Sequence, residues 1–332
     1  MIRFFERNMT LQVVLILAVL LLLWVPSMVH PPAIVTSSET GILYELVLRW
    51  LSPAPLWAVV VAMLLVVAEG FNLNLLLSNV GLVSQKSLMP TLLYILAMSS
   101  MATTLTPIVI VNALLVPCIN QLVLRGTLLT IPTNRICGTT VLIGISTMFY
   151  LPAIAIMCSY LLMAISYRLY SWKDWVVMLL GLLAPYIILV TVLFMNDMLV
   201  EEWLIWIERL GGATFRVGES TLLQALAIGF LAALFVVSLL ALWSRLGEHP
   251  IVWQKNASAV MLMTVGGLIM LFYSQFFPVD MQLFAIPFAF CCTLFLTREG
   301  KGATRGKKKS YDWVYDVLWI LVLISVIVCG RC

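Results

Sequence analysis

Residues 89–124 read MPTLLYILAMSSMATTLTPIVIVNALLVPCINQLVL, without one charged side chain. A helical crossing of a bilayer needs about 20 apolar residues. This run is too long for one crossing, and Thr103-Thr104-Leu105-Thr106-Pro107 interrupts it in the middle. Proline lacks a backbone donor and pushes the preceding residue out of the helical region, so the interruption marks a bend. The economical reading is a helical hairpin of 89–101 and 106–124. Residues 137–167 pose the same problem, broken at Pro152, and take the same answer: two short helices.

Around these hairpins lie plainer segments. Residues 11–29, 55–78, 175–195, 221–243, 257–273 and 313–330 are each long and apolar enough to cross, and 282–296 adds a shorter one. The sum is an all-α, polytopic transmembrane helical bundle of about eleven spans, some of them short, kinked or re-entrant. Composition agrees: 63% of the 332 residues are hydrophobic, 10% are charged and mean hydropathy is +1.08. A soluble domain of this length carries roughly a quarter charged residues, and a transmembrane barrel would show short alternating segments instead of long apolar runs.

Charge orients the bundle. With the N-terminus in the cytoplasm and strict alternation, fifteen of the nineteen Lys and Arg fall on the cytoplasmic side. Only Arg49, Arg209, Arg216 and Arg331 fall outside. Positive residues near span ends resist translocation, so this bias selects the orientation. Fusing either hairpin into one crossing would invert everything after it, placing the run Lys301–Lys309 outside. The bias therefore also supports the count. The whole chain, 1–332, reads as a single integral membrane domain with a basic cytoplasmic loop at 297–310. Arg3 and Arg7 precede the first span, which is too long for a signal core and is followed by no small-x-small cleavage site, so it reads as a retained anchor. The net charge of +4 calls for no nucleic-acid partner. Seven cysteines, nearly all in or beside apolar segments, predict packing residues and no disulfide framework.

Two external loops carry amphipathic patterns. Near 38–52, Leu43, Leu46, Val47 and Trp50 recur at i, i+3, i+4, i+7, with Glu45 and Arg49 opposite. Near 198–211, Leu199, Val200, Trp203, Trp206, Ile207 and Leu210 oppose Glu201, Glu202, Glu208 and Arg209. Both predict short helices lying at the lipid surface. Ser37 or Ser38 is placed to cap the first, with Glu39 in its first turn.

The external loops hold eight acids: Glu39, Glu45, Asp197, Glu201, Glu202, Glu208, Glu219 and Asp280. Most read as solvated charges. Glu39 stands out by position, shortly after the first span and ahead of the amphipathic helix, as a capping charge or as a base or metal ligand at a cavity. Glu69 falls inside the second span, followed by Asn72 and Asn74. An ionisable group there is expensive unless paired, hydrated or protonated, which makes it a functional candidate or a paired structural group. Asn112, Asn120 and Gln121 read as interhelical hydrogen-bonding residues. Asp312 and Asp316 read as acids favouring the start of the last span. No cofactor or metal is expected. His30 and His249 fall on opposite faces, and there is no phosphate-binding glycine loop, nucleophile elbow or Cys-x-x-Cys pair.

Three stretches carry a resemblance: Ser87–Ser100 (SLMPTLLYILAMSS), Gly138–Met157 (GTTVLIGISTMFYLPAIAIM) and Ser171–Ile187 (SWKDWVVMLLGLLAPYI). They resemble parts of an uncharacterised polytopic inner-membrane protein family of Bacteroidota. The resemblance covers roughly residues 60–190 and implies a bacterial inner, or cytoplasmic, membrane without supplying a reaction. In layout the chain is also similar to the C-type glycosyltransferases, which use polyprenyl-phosphate-linked sugars: one span, an acid in the first external loop, an interfacial helix, then paired short helices. That likeness implies Glu39, with Glu45 second, as base or metal ligand, and Arg49 and Arg216 as ligands of a lipid phosphate. The chain departs from the pattern in lacking an acidic pair and a C-terminal soluble domain. Three functions stand as expectations. The first is a role in cell-envelope glycan or glycolipid assembly, the second a non-catalytic membrane subunit or assembly partner of an envelope complex, the third a solute transporter.

Overall fold

The computed structural model describes residues 9–32, 40–84, 87–123, 131–167, 171–197, 222–273, 279–297 and 322. Its α-helices, in chain order, are α1 (Met9–Val29), α2 (Ile42–Leu51), α3 (Pro55–Asn79), α4 (Met89–Met101), α5 (Pro107–Leu122), α6 (Thr133–Phe149), α7 (Ala155–Ser166), α8 (Trp172–Met195), α9 (Leu222–Arg245), α10 (Ile251–Tyr273) and α11 (Ala285–Thr297). A 3-10 turn at Leu151–Ile154 joins α6 to α7, and another at Val279–Phe284 leads into α11. Five stretches are long and apolar enough to cross a membrane: Met9–Val29, Pro55–Asn79, Trp172–Met195, Ile228–Glu248 and Val279–Leu296. The protein is an all-helical, multi-pass membrane protein.

Both expected breaks are present. The first runs from Ala102 to Thr106, where Thr106 caps α5 by accepting from the Val109 amide at 3.3 Å and Pro107 takes the first helical position, where no donor is needed. The second falls at Tyr150–Ile154, with Pro152 in its 3-10 turn.

Side-chain contacts fix the relative directions of the helices. On α1, Gln12 accepts from the Leu88 amide at 2.9 Å, Trp24 donates to Ser99 at 2.8 Å, and Ser27 meets Thr103. These pairs keep an almost constant offset along the chain, so α1 and α4 lie parallel. Thr91 and Tyr94 of α4 meet Gly70 and Glu69 of α3, so α3 runs the other way. Met98 meets Asn112, so α5 turns back from α4. Cys137 and Thr140 pack on Gly181, and Gly144 on Leu182 and Pro185, making α6 and α8 parallel. Tyr167 and Ser159 of α7 reach Lys255 and Gly266 of α10 in antiparallel order.

The centre is α4. Every residue from Met89 to Leu96 is buried, against α1, α3, α11 and the turn 279–284. Outer helices carry their apolar side chains outward, as at Leu17 and Leu21 on α1, Ile187 and Ile188 on α8, and Val236 and Leu240 on α9. Lipid tails are as apolar as leucine, so burial of leucine drives no association here. Close packing and interhelical hydrogen bonds do, each bond contributing about 0.6 kcal/mol on average. On α1 the buried residues are Gln12, Ile16, Leu20 and Trp24, one per turn, and its two polar or amphipathic members carry the bonds to α4.

The helix α2 falls within the expected stretch near 38–52. It begins at Ile42 with Gly41 at its N-cap, and Ser37 and Ser38 lie outside the described residues. Its buried face is Tyr44, with Val47, Leu48 and Leu51 packed on the core. Tyr44 is fully buried and donates its hydroxyl to the Leu105 carbonyl at 2.9 Å. Burial raises the phenol above its ordinary pKa and keeps that donor in place. Leu46 and Trp50 (81% exposed) face away from the protein. The expected helix near 198–211 lies outside the described residues, as do the last span at 313–330 apart from the buried Val322, the loop 298–310, and Asp312 and Asp316.

Thr40 pairs with Tyr150 in an isolated antiparallel bridge, and Gly41 donates to the Phe149 carbonyl at 2.9 Å. A Cβ at Gly41 would overlap the Met148 carbonyl oxygen. Gly41→Ala is therefore expected to lower stability by about 1–3 kcal/mol, the usual cost of overpacking. Thermal unfolding in detergent measures it, with Gly229→Ala, where a Cβ meets nothing, as the unperturbed control.

Candidate functional site

The two arms of the α4–α5 hairpin pack on each other only marginally, because the turn 279–284 contacts both. Gln282 is its wedge. A helix of 13 residues is about 20 Å long against a hydrocarbon core of about 30 Å, so α4 ends within apolar depth and its last carbonyls need partners. The Gln282 Nε2 group donates to the carbonyls of Met98 (3.0 Å) and Ala102 (3.3 Å). Its Oε1 accepts from Thr106 at 2.8 Å, and its own carbonyl accepts from Asn112 Nδ2 at 3.0 Å. One side chain thus satisfies the end of α4 and the cap of α5.

The polar chain continues inward. Asn112 also approaches Met98 Sδ at 3.4 Å. Tyr94 donates to Glu69 Oε2. Glu69 is 3% exposed and belongs to the bundle interior. Its Oε1 and the Oδ1 of Asn112 are buried without a hydrogen-bond partner. Side-chain hydrogen bonds therefore tie α5 to α4 and to the 279–284 turn through Asn112, and α4 to α3 through Tyr94. The expectation that Asn112 bonds between helices holds. Gln121 also faces a neighbour, its Oε1 accepting from Thr139 of α6 at 3.4 Å.

Two residues before Gln282, Asp280 departs from its reading as a solvated external acid. It is 2% exposed and accepts from the Tyr150 hydroxyl at 2.7 Å. The second hairpin break, the 279–284 turn and the Thr40 bridge therefore meet at one polar layer, and α2 lies over it through Tyr44.

An apolar cavity of about 250 Å³ adjoins this layer, walled by α4, α9, α10 and α11. Met101, Met281 and Phe284 line it next to the turn. Phe235 and Phe284 meet edge-on there, their centroids 6.1 Å apart. Ala232, Val236 and Leu268 line it and are exposed, so the cavity reaches the lipid-facing surface between α9 and α10.

Of the residues singled out from sequence, Glu45 lies half-buried in the first turn of α2 and Arg49 exposed in its last. Glu39 and Arg216 lie outside the described residues. Glu69 is the only one of the five that the described structure draws into the buried chain. Sequence reading passed over Gln282, Tyr94 and Tyr150, although a glutamine within the apolar run Met281–Cys292 is the signal that an intramembrane polar residue carries. No protein-family model, curated protein or solved structure matches the chain.

Gln282→Leu is expected to destabilise the protein by about 2 kcal/mol or more, because it strands buried carbonyls and the Thr106 hydroxyl. Thermal or denaturant unfolding in detergent tests this, with Leu268→Ala on the exposed wall expected to cost far less.

Proposed function

We propose that this is a bacterial inner-membrane protein of about eleven spans, its N-terminus cytoplasmic, that acts on a lipid-linked substrate at the extracytoplasmic face. The service is cell-envelope glycan or glycolipid assembly, in the manner of the C-type glycosyltransferases. The observation that carries the reading is the apolar cavity open to the lipid-facing surface, ending against a buried polar turn. A polyprenyl tail suits the first, and its phosphate-linked head belongs beside the second. Glu39, with Glu45 second, is assigned as base, and Arg49 and Arg216 as phosphate ligands. Alternation of the observed helix directions supports the span count, and the distribution of Lys and Arg supports the orientation.

Glu39→Gln is expected to abolish function in a cellular complementation assay while expression and folding persist, and a normal phenotype overturns the assignment. A photoreactive polyprenyl phosphate should label α9 or α10 in the intact protein, and Ala232→Phe should reduce that labelling. Equal labelling in the variant removes the cavity from the reading. For orientation, an impermeant maleimide added to cells should modify Glu45→Cys and spare Glu248→Cys until the membrane is opened.

A non-catalytic subunit of an envelope complex is the second reading, favoured by the outward Leu46 and Trp50 of α2. It is preferred if Glu39→Gln is silent and Trp50→Ser is not.

A further inference from the structure

Among the described residues, the buried acids are Glu69 and Asp280, and no Lys, Arg or His is buried with them. Glu69 lies about 21 Å along α3 from Pro55, inside a membrane-spanning segment. Tyr94 donates to its Oε2, whereas no side-chain or backbone group donates to its buried Oε1. A buried polar atom left so is rare in a native fold and calls for a chemical reason. The helices packed closely on α3 are α1, α2, α4 and α5. Of ionisable side chains, α1 carries none, α4 carries Tyr94 and α5 the thiol of Cys118. On α2 are Tyr44, Glu45 and Arg49, but Tyr44 is tied to Leu105, beyond the C-terminal end of α4, and Arg49 is exposed. No described basic side chain therefore pairs with Glu69.

We propose that Glu69 is an intramembrane proton-binding site, occupied at neutral pH, whose proton holds α3 against α4. An ionised carboxylate only accepts hydrogen bonds, with about four lone-pair sites on its two oxygens. One donor answers it here, so a charge on Glu69 would stand in an apolar interior with a single hydrogen bond. Burying a charge that way costs far more than burying a neutral carboxyl, and a group so placed takes up a proton instead. The ligand is the proton alone: it comes from water and returns to water, and no co-reactant is needed. The site is also a joint between helices. Beside the Tyr94–Glu69 bond, Thr91 donates to the Gly70 carbonyl at 3.1 Å, and a Cβ on Gly70 would come within 3.2 Å of the Thr91 methyl. With α3 and α4 in such close contact, releasing the proton requires them to part far enough for water to reach the carboxylate. The site stands apart from the lipid-substrate reading, which uses neither Glu69 nor Tyr94.

The test uses the full chain in nanodiscs at neutral pH and infrared spectroscopy of the protonated carboxyl C=O stretch, a band that ionised carboxylates lack. The native chain should show this band and Glu69→Gln should lose it. Incorporating glutamate isotope-labelled at its side-chain carboxyl should move the band, which separates Glu69 from Asp280. Absence of a protonated-glutamate band at neutral pH overturns the proposal, including the case in which the carboxyl is ionised and hydrated. The hold of α3 on α4 is read from stability. In the unfolded chain the carboxyl meets water and ionises above about pH 4.3. While the folded site keeps its proton, the folding equilibrium should therefore weaken about tenfold for each pH unit of rise beyond that point, with stability present at acid pH and lost as pH rises. Glu69→Gln, a neutral isostere, should lack that component, and equal pH slopes in the two proteins overturn the proposal. Should the variant fail to fold, the labelled band of the native chain decides alone.

Discussion

A backbone that stops being helical inside a bilayer must find its hydrogen bonds in protein, and this structure is arranged around that constraint. Water is absent at that depth, so each bare carbonyl or amide is expensive. Two hairpin breaks and one 3-10 turn pose the problem together. Gln282 caps the end of α4, Thr106 caps the start of α5, and Tyr44 takes the Leu105 carbonyl between them. Because these partners come from distant parts of the chain, the breaks fix one another's positions. The helices are then hung from this layer: α1 through Trp24 and Ser27, α6 through the Thr40 bridge at Tyr150, and α11 through the turn that precedes it.

Beside this layer lies an apolar cavity that reaches the lipid-facing surface. Elsewhere in the interior Tyr94 donates to Glu69, which is cut off from solvent. The outward face of α2 adds a third surface, with Trp50 and Leu46 set where an amphipathic ring and an aliphatic chain sit best, at the membrane boundary.

Much of the helical framework was legible because apolar length, proline and threonine act locally. The break at Thr103–Pro107 follows from the conformational limits of those residues, and the return of the chain follows from excess apolar length. Glu69 was legible as a candidate because an acid in an apolar run is costly wherever it sits. The protein-facing contact of α2 was not. Besides the stripe of Leu43, Leu46, Val47 and Trp50, whose Leu46 and Trp50 face outward, that helix turns Tyr44 into the core, where the distant Leu105 carbonyl holds it. Asp280 was misread for the same kind of reason, since its loop position suggests water until Tyr150, 130 residues earlier, closes over it.

By itself the sequence determined that this chain is a helical membrane protein, which segments are apolar enough to cross and where they break. Those are properties of short stretches: length, hydropathy and the local sterics of proline. Tertiary structure alone decided which polar groups become neighbours, so that Gln282 closes a hairpin, Tyr94 meets Glu69, and Gly41 must stay bare against Met148. The physical reason is that in a medium as apolar as the side chains themselves, hydropathy sets no helix against another. The pairing is left to a few hydrogen bonds and close contacts between residues far apart in the chain.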